Sequence, residues 1–299
     1  MKILFALNRF KYLTGSELYI YELTRELVHR GHSATIISRI GGEITDRARK
    51  NGVNVEDSWK YLIKVRLGLK LPDFDILHLS EYLPTKRVLK TISTIPAVVT
   101  VHSEVLPKET PYVNSRIKKY ICIRPSIQDM LINKYGIPRH MTEIIYNGID
   151  FSRFNKISNS SSDSEKRKLV VFVGTIDRLR RRSIKHLINK SKKENFDLNI
   201  IGMKKRLYLG FSLPKNVRYF NAGWDVESHL KKASETAGVL LGRSTIEGWA
   251  CGKPGWIYDV DATGNIKSVT LHKPPENMAQ FNIHYMTDKI LDVYKEAIL

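Results

Sequence analysis

The segment Leu240–Pro254, LLGRSTIEGWACGKP, combines glycines, hydroxyl groups and one carboxylate at a spacing that suits a phosphate-bearing ligand. A short apolar strand leads to Gly242, and Ser244 and Thr245 follow where a helix would begin. The N–H groups of a first helical turn have no intrahelical partner, so they can bind a phosphate. Glu247, one turn later, can accept hydrogen bonds from two sugar hydroxyls. The alternative interpretation is a helix cap, in which Glu247 closes a capping box.

A second segment, Val173–Arg182, places arginines directly after a predicted strand. Gly174 lets the chain turn there, Thr175 follows it, and Arg178 and Arg180 come next. A diphosphate leaving group gains negative charge as its bond to a sugar breaks, and fixed cations stabilise that charge without a metal ion. Neighbouring arginines on a helix cannot all face one ligand, so we expect one or two of them in a site.

Two further positions are candidates on placement alone. Gly15 opens a helix after the loop that begins at Asn8, and this loop lacks the G-x-G-x-x-G fingerprint of nicotinamide and flavin enzymes. His102 follows the apolar strand AVVTV, so it lies at an edge where ligands bind. A purely structural role for this histidine stays open.

Short apolar strands alternate with helical patterns along the chain, which indicates parallel sheets covered on both faces. A polar, Ser-rich stretch interrupts the series and predicts a linker. We therefore expect a first α/β domain over 1–157, a linker over 158–168, a second α/β domain over 169–285 and a final helix over 286–299. Ligands of such folds bind at the carboxyl ends of the strands.

Charge and composition set further limits. The 299 residues carry a formal net charge of +19, which attracts nucleic acid, an anionic membrane face or phosphorylated small molecules. No apolar run is long enough to cross a bilayer, and MKILFAL lacks the features of a signal peptide. Two distant cysteines without metal-ligand spacing fit a reducing, cytoplasmic setting, with binding at the inner membrane face left open. The period-2 pattern of 59–70 favours an exposed amphipathic strand over a membrane-lying helix.

In their order along nearly the whole chain, these segments resemble the GT-B fold of glycosyltransferases and, within it, glycosyltransferase family 4. The most specific piece is IIYNGIDFSRF, which is similar to the family's N-G-x-D-x-x-x-F signature. TGSELYIYELTRELVHRGH, FDILH and VTVHS match the first half, and LVVFVG, LNIIG and G-x-x-x-I-E-G-x-A-C-G-x-P match the second. The resemblance implies two Rossmann-like domains whose parallel sheets face each other across a cleft.

By the same resemblance, the chain transfers a sugar with retention from a UDP- or GDP-sugar, and it needs neither a cofactor nor a metal. Glu247 would hold the nucleotide ribose, Ser244 and Thr245 the donor diphosphate, and Arg180 would replace the lysine that contacts this diphosphate. His102 would lie by the acceptor and the transferred sugar, and the final helix would cross back to the first domain. The basic surface favours an acceptor that is membrane-associated or phosphorylated, while a polysaccharide or protein acceptor and the oligomeric state stay open.

Two departures from the family pattern keep alternatives open. Val239 stands where the family has the first glutamate of its E-x7-E motif, and Thr175 stands where it has an arginine. A nucleotide-sugar-binding protein without catalysis is therefore one alternative. A basic nucleic-acid-binding protein is another, although no recognised nucleic-acid motif accompanies the charge and we expect no specific nucleic-acid partner.

Overall fold

The computed structural model describes residues 1–57, 60, 63, 73–154, 167–203 and 213–299. Most of the predicted linker, namely 158–166, lies outside the described residues. Of the segment 59–70, only Lys60 and Ile63 are described, and both are helical. The strand prediction is therefore wrong at these two positions, and the rest of the segment lies outside the described part of the chain.

The strands of the described residues are short and mostly apolar, because helices cover both faces of their sheets. They are β1 (Lys2–Leu7), β2 (Ser33–Ser38), β3 (Asn54–Glu56), β4 (Ile76–Leu79), β5 (Ala97–Val101), β6 (Ile117–Cys122), β7 (Thr142–Ile144), β8 (Leu169–Val173), β9 (Asp197–Ile201), β10 (Val217–Phe220), β11 (Glu235–Val239), β12 (Gly255–Val260) and β13 (Ile266–His272).

Helices connect most of these strands. They are α1 (Gly15–His29), α2 (Glu43–Lys50), α3 (Tyr82–Thr91), α4 (Pro125–Tyr135), α5 (Arg181–Lys193), α6 (Val226–Lys232), α7 (Arg243–Ala250) and α8 (Ile283–Ile298). Single 3-10 turns occur at Pro107–Glu109, Arg139–Met141, Phe151–Arg153 and Ala279–Phe281. None of the helices in the described ranges combines the length and apolarity that a membrane crossing requires.

The chain divides into two compact units. The first comprises Met1–Tyr12, Ser16–Gly148 and Ile283–Leu299, and the second comprises Leu13–Gly15 and Ile149–Asn282. The sheet of the first unit has the order β3-β2-β1-β4-β5-β6-β7, and every neighbouring pair is parallel. Helix α8 packs against β4, β5 and β6 of this sheet.

The sheet of the second unit has the order β10-β9-β8-β11-β12-β13. All of its pairs are parallel except β12 with β13, which run antiparallel at one edge. The α/β fold with mostly parallel sheets is thus confirmed. The antiparallel β13 was not predicted, because only three of its seven residues are apolar and most of the strand is exposed.

Candidate functional site

The second unit reverses its strand order between β8 and β11. From β8 the chain winds outward through β9 and β10, and it then returns to β11 on the other side of β8. In open α/β sheets, ligands bind outside the carboxyl ends of the strands at such a switch point. The loop after β8 and the turn after β11 both lie there, since Phe172 pairs with Ala237 in adjacent strands. The structure therefore brings the two predicted donor segments to one end of one sheet.

The loop after β8 is fixed at close range by backbone contacts. The Gly174 N–H donates to the Ile201 carbonyl at 2.9 Å, and the Ile176 N–H donates to the Met203 carbonyl at 3.0 Å. Gly202 approaches this loop so closely that a Cβ added to it would overlap the Gly174 carbonyl. This close approach requires glycine at 202 and sets the course of the loop.

Arg180 covers the end of β8. A Cβ added to Gly174 would meet the Arg180 Cδ and Nε atoms at 3.3 Å. The Arg180 Nη1 donates to Asp177 Oδ2 at 2.7 Å, and the Arg180 backbone N–H donates to Asp177 Oδ1 at 3.0 Å. The guanidinium is thus oriented by Asp177 at the switch point. Arg178 is exposed, and Thr175 is half-buried.

The turn after β11 is strained and leads straight into α7. Leu240 has φ 61°, a left-handed conformation that is costly for a side chain of this kind. Gly242 is the N-cap residue and makes no side-chain cap, so the helix begins at Arg243, one residue before Ser244. The capping-box alternative for Ser244 and Glu247 is therefore wrong. The third helical residue is Thr245, and Glu247 lies too far along for a capping box.

Ser244 and Thr245 occupy the first turn of α7, but Thr245 is more deeply buried than Ser244. A Cβ added to Gly238 would meet Ser244 Oγ at 2.8 Å and Thr245 Oγ1 at 3.4 Å, so both hydroxyls turn back toward β11. The Thr245 side chain is buried, and its hydroxyl has no hydrogen-bond partner. The Thr245 N–H donates to the Gly242 carbonyl at 3.1 Å, whereas Ser244 is half-buried at the very start of the helix.

Glu247 is paired with a residue that the sequence analysis missed. The Arg243 Nε donates to Glu247 Oε1 at 2.6 Å, and both side chains are buried, Glu247 to 4% exposure. Their i, i+4 spacing on a helix was a readable signal for this pair. A carboxylate held in this way has a fixed orientation.

The first unit has a switch point of its own between β1 and β4. The Asn8 N–H donates to Glu81 Oε2 at 3.0 Å and joins the loop after β1 to the turn after β4. Glu81 has φ 62°, so strained backbone again marks the carboxyl end of a strand. Gly15 is the first residue of α1, and the Glu17 carboxylate two residues on accepts the N–H groups of Lys11 and Tyr12.

His102 follows β5 and lies against a buried aromatic and polar cluster. Its ring makes an edge contact with the Tyr19 ring at 4.9 Å between centroids. Burial lowers its pKa to about 3, and the charges of Lys108 and Arg124 act in the same direction, so the imidazole is neutral near pH 7. The His102 Nε2 is buried without a hydrogen-bond partner.

Two more buried polar groups near this edge have atoms without partners. They are the Ser80 hydroxyl, directly after β4, and Glu109 Oε2, in the turn that packs on α3. Glu109 is 4% exposed, and burial raises its pKa to about 7; Lys108 opposes this shift and Glu81 adds to it. Because buried polar atoms in folded proteins are nearly always hydrogen-bonded, these orphan atoms indicate a place for ligand groups. No sequence motif pointed to Ser80 or Glu109.

The part of the chain that the structure describes contains no group of three or more His, Cys, Asp or Glu side chains that could hold a metal ion.

Comparison with protein families and with curated protein sequences gives one match. The family model described as Glycosyltransferase Family 4 matches residues 13–153. No curated protein sequence matches the chain significantly.

Solved structures match over the whole length. A glycosyltransferase from Rickettsia africae ESF-5 is 15% identical with a TM-score of 0.71, and the match covers 99% of this chain and 98% of that one. AviGT4, a glycosyltransferase involved in avilamycin A biosynthesis, is 10% identical with a TM-score of 0.67, covering 100% and 98%. Anabaena Alr3699/HepE in complex with UDP-glucose is 16% identical with a TM-score of 0.65, covering 100% and 92%. The chain therefore has the fold of the GT-B glycosyltransferases, and over residues 13–153 it resembles glycosyltransferase family 4.

Proposed function

We propose that the protein is a glycosyltransferase that takes a sugar from a nucleotide diphosphate sugar, which binds at the switch point of the second unit. The observation that carries this proposal is the arrangement around β8 and β11. There, Arg180 and the first turn of α7 lie at one sheet end, and Glu247 lies one turn further along the helix, paired with Arg243. A neighbour of the same fold, HepE, was solved with UDP-glucose. This supports a UDP- or GDP-sugar as the donor.

In the proposed complex, the start of α7, Arg180 and Glu247 each bind a different part of the donor. The donor diphosphate lies at the start of α7, where the N–H of Ser244 and the helix dipole favour negative charge. Arg180, oriented by Asp177, neutralises the charge that develops on the leaving diphosphate, so the reaction proceeds without a metal ion. Glu247, fixed by Arg243, accepts the ribose hydroxyls. The transfer retains the anomeric configuration, with the diphosphate taking the acceptor proton.

The acceptor hydroxyl is proposed to bind in the first unit at the orphan atoms of Ser80, His102 and Glu109. This is a site for a polyhydroxyl group, because its orphan atoms are a hydroxyl, an imidazole nitrogen and a carboxyl oxygen, which all form hydrogen bonds with hydroxyl groups. His102, with its pKa near 3, is a poor proton acceptor at neutral pH. We therefore assign it a hydrogen bond to a sugar hydroxyl.

The decisive experiment is a thermal-shift screen against UDP, GDP and ADP and their sugar conjugates, in buffer containing EDTA. The matching nucleotide should raise the unfolding temperature, because a ligand that binds only the folded state stabilises it. The variant Arg180→Ala should lose about tenfold in affinity for that diphosphate while the affinity for the nucleoside alone stays unchanged. A screen in which no nucleotide shifts the transition would refute the donor site.

A binding protein without catalysis is the second candidate, and Val239 favours it. Val239 is the last residue of β11, two residues after Ala237, which pairs with Phe172 of β8, and the family pattern has a glutamate at this position. Nucleotide binding without sugar release to any acceptor or to water would support this second candidate. Slow hydrolysis of the donor would support the transferase. The free thiols of Cys122 and Cys251 suit the cytoplasm that we propose as its compartment.

A further inference from the structure

One surface of the first unit exposes aliphatic side chains among lysines. Leu83, in the first turn of α3, is 53% exposed, and Val113, beyond the turn Pro107–Glu109, is 54% exposed. We call this surface the α3 patch and define it as Tyr82, Leu83, Lys86, Lys90, Lys108, Tyr112 and Val113. It adjoins the carboxyl end of β4, because α3 begins three residues after that strand ends.

The α3 patch is one continuous surface, although its residues come from two segments. The rings of Tyr82 and Tyr112 meet edge to face with centroids 5.5 Å apart, and their chain neighbours are Leu83 and Val113. The Lys86 ammonium lies 5.8 Å from the centre of the Tyr82 ring. The turn Pro107–Glu109 packs on α3 and completes the connection. The two exposed aliphatic side chains therefore each adjoin one member of this tyrosine pair.

Charge is separated across the α3 patch. Glu81 and Glu109 are turned inward, with side chains 15% and 3% exposed, and Lys108 bridges them from outside at 3.8 Å and 3.5 Å. The Lys108 side chain itself is 63% exposed. Lys90 is exposed in the last turn of α3, and this helix contains no acidic residue. The outward face is thus cationic and apolar together.

We propose that the α3 patch is a docking surface for an anionic lipid membrane. Aliphatic side chains can enter the boundary between headgroups and acyl chains, tyrosines suit the headgroup level, and lysines reach anionic headgroups. Two aliphatic residues and two partly covered tyrosines are too few for a stable protein interface of about 800 Å² per partner. A nucleic acid would use the lysines but has no place for the exposed Leu83 and Val113.

This inference deepens the proposed function and rests on it in one respect only. The orphan atoms of Ser80 and Glu109 lie at the inner side of the α3 patch. If they bind the acceptor, the acceptor meets the protein at the lipid surface, as the hydroxyl-bearing headgroup of a lipid. The docking itself does not require that the chain be a transferase.

The test is co-sedimentation with vesicles of phosphatidylcholine alone and of phosphatidylcholine with about one third phosphatidylglycerol. The wild type should bind the mixed vesicles and not the neutral ones. The double variant Lys86→Gln/Lys90→Gln should lose more than about tenfold in affinity, at about fivefold for each lysine. Leu83→Ser/Val113→Ser should lose about as much, because the aliphatic insertion is removed.

The matched control is Leu271→Ser, which removes an aliphatic side chain that is 43% exposed on β13 of the second unit, near Lys273. It should bind mixed vesicles like the wild type. Equal losses in Leu271→Ser and Leu83→Ser/Val113→Ser, equal binding to both vesicle types, or no binding by the wild type would overturn the proposal. So would a wild type that prefers a single-stranded oligonucleotide to the mixed vesicles at equal phosphate concentration.

Unfolding temperatures of all variants show whether they fold, and nucleotide titration of the same samples separates the two proposals. Variants of the α3 patch that bind nucleotide normally but have lost vesicle binding support the docking surface. A wild type that binds vesicles but no nucleotide leaves the docking surface intact and refutes the donor site.

Discussion

At the scale of single residues, the pair Arg243 and Glu247 shows why burial matters as much as identity. Both side chains are nearly inaccessible, and a hydrogen bond of 2.6 Å from Arg243 Nε to Glu247 Oε1 joins them. Loss of one member takes away the ion-pair partner of a buried charge, and breaking a buried ion pair in this way typically costs about 3–5 kcal/mol. The sequence resemblance assigns Glu247 to the ribose but gives no hint of this second, structural demand.

We predict that Arg243→Met and Glu247→Gln each lower the free energy of unfolding, and that the double variant loses less than the sum of the two. The reason is that either single substitution already breaks the ion pair, so the second substitution has less of it left to remove. Urea unfolding of the four proteins measures the coupling. Strictly additive losses would show that the two side chains do not depend on each other.

A second residue-scale prediction concerns Glu109, whose pKa is raised from 4.5 to about 7. Below pH 4.5 both the folded and the unfolded chain hold the proton; between 4.5 and 7 the unfolded chain releases it first. The folded state therefore loses stability as the pH rises through this window, by up to about 3 kcal/mol. Glu109→Gln cannot ionise and should avoid this loss.

The measurement is the difference in unfolding free energy between Glu109→Gln and wild type at several pH values. The difference should grow from pH 4.5 to 7 and stay constant above it. Contributions of His78 and His102, whose pKa values burial lowers to about 3, are shared by both proteins and largely cancel. A flat difference would mean that Glu109 ionises normally.

At the scale of elements, the sequence pattern predicts a strand or helix only where that element buries a continuous apolar face. The other elements are determined by tertiary packing. The strands β1, β5 and β8 were readable as apolar runs, and α1 and α8 as helical spacings, because each buries a continuous apolar face. β13 was not readable, since it is an exposed edge strand that β12 alone orders. The start of α7 was misread by one residue, because Gly242 caps the helix without a side chain.

The residues of the candidate sites likewise divide into those that a sequence motif indicates and those that it does not. The placement of Glu247, Arg180 and His102 near strand ends was predictable, since each belongs to a motif with a fixed position relative to a strand, and their roles stay predictions. Arg243 had only an i, i+4 spacing to indicate it, and Glu109 and Ser80 had no local signal at all. Their surroundings arise from tertiary contacts, such as the packing of Pro107–Glu109 on α3, that sequence spacing does not encode.

An element-scale prediction tests the close approach of two strand ends. Gly202→Ala should push the end of β9 away from Gly174, because the added Cβ would overlap its carbonyl group. We expect a loss of about 1–3 kcal/mol in stability, together with weaker nucleotide binding, since Arg180 lies over the displaced Gly174. Gly15→Ala is the stability control, because Gly15 opens α1 and its added Cβ meets no atom within 4 Å. Normal stability of Gly202→Ala would show that the loop after β8 adapts freely.

At the scale of the whole molecule, the net charge of +19 makes two properties respond oppositely to salt. The like charges repel one another in the folded state, and salt screens that repulsion. Ion pairs such as Lys295 with Asp292 are exposed and contribute little that salt could remove. We therefore predict that the unfolding temperature rises between about 10 mM and about 150 mM sodium chloride.

Attachment to anionic vesicles should weaken over the same range of salt, because the lysines of the α3 patch then attract the headgroups less strongly. Thermal unfolding and vesicle co-sedimentation on one salt series measure both responses, with sucrose at equal osmolality as the control for effects unrelated to charge. A falling unfolding temperature would mean that attractive ion pairs outweigh the repulsion among the excess cations. Salt-independent attachment would mean that Leu83 and Val113 account for membrane binding without an electrostatic contribution from Lys86 and Lys108. The two salt responses together therefore distinguish the repulsion among all the excess cations from the attraction between the α3 patch and anionic headgroups.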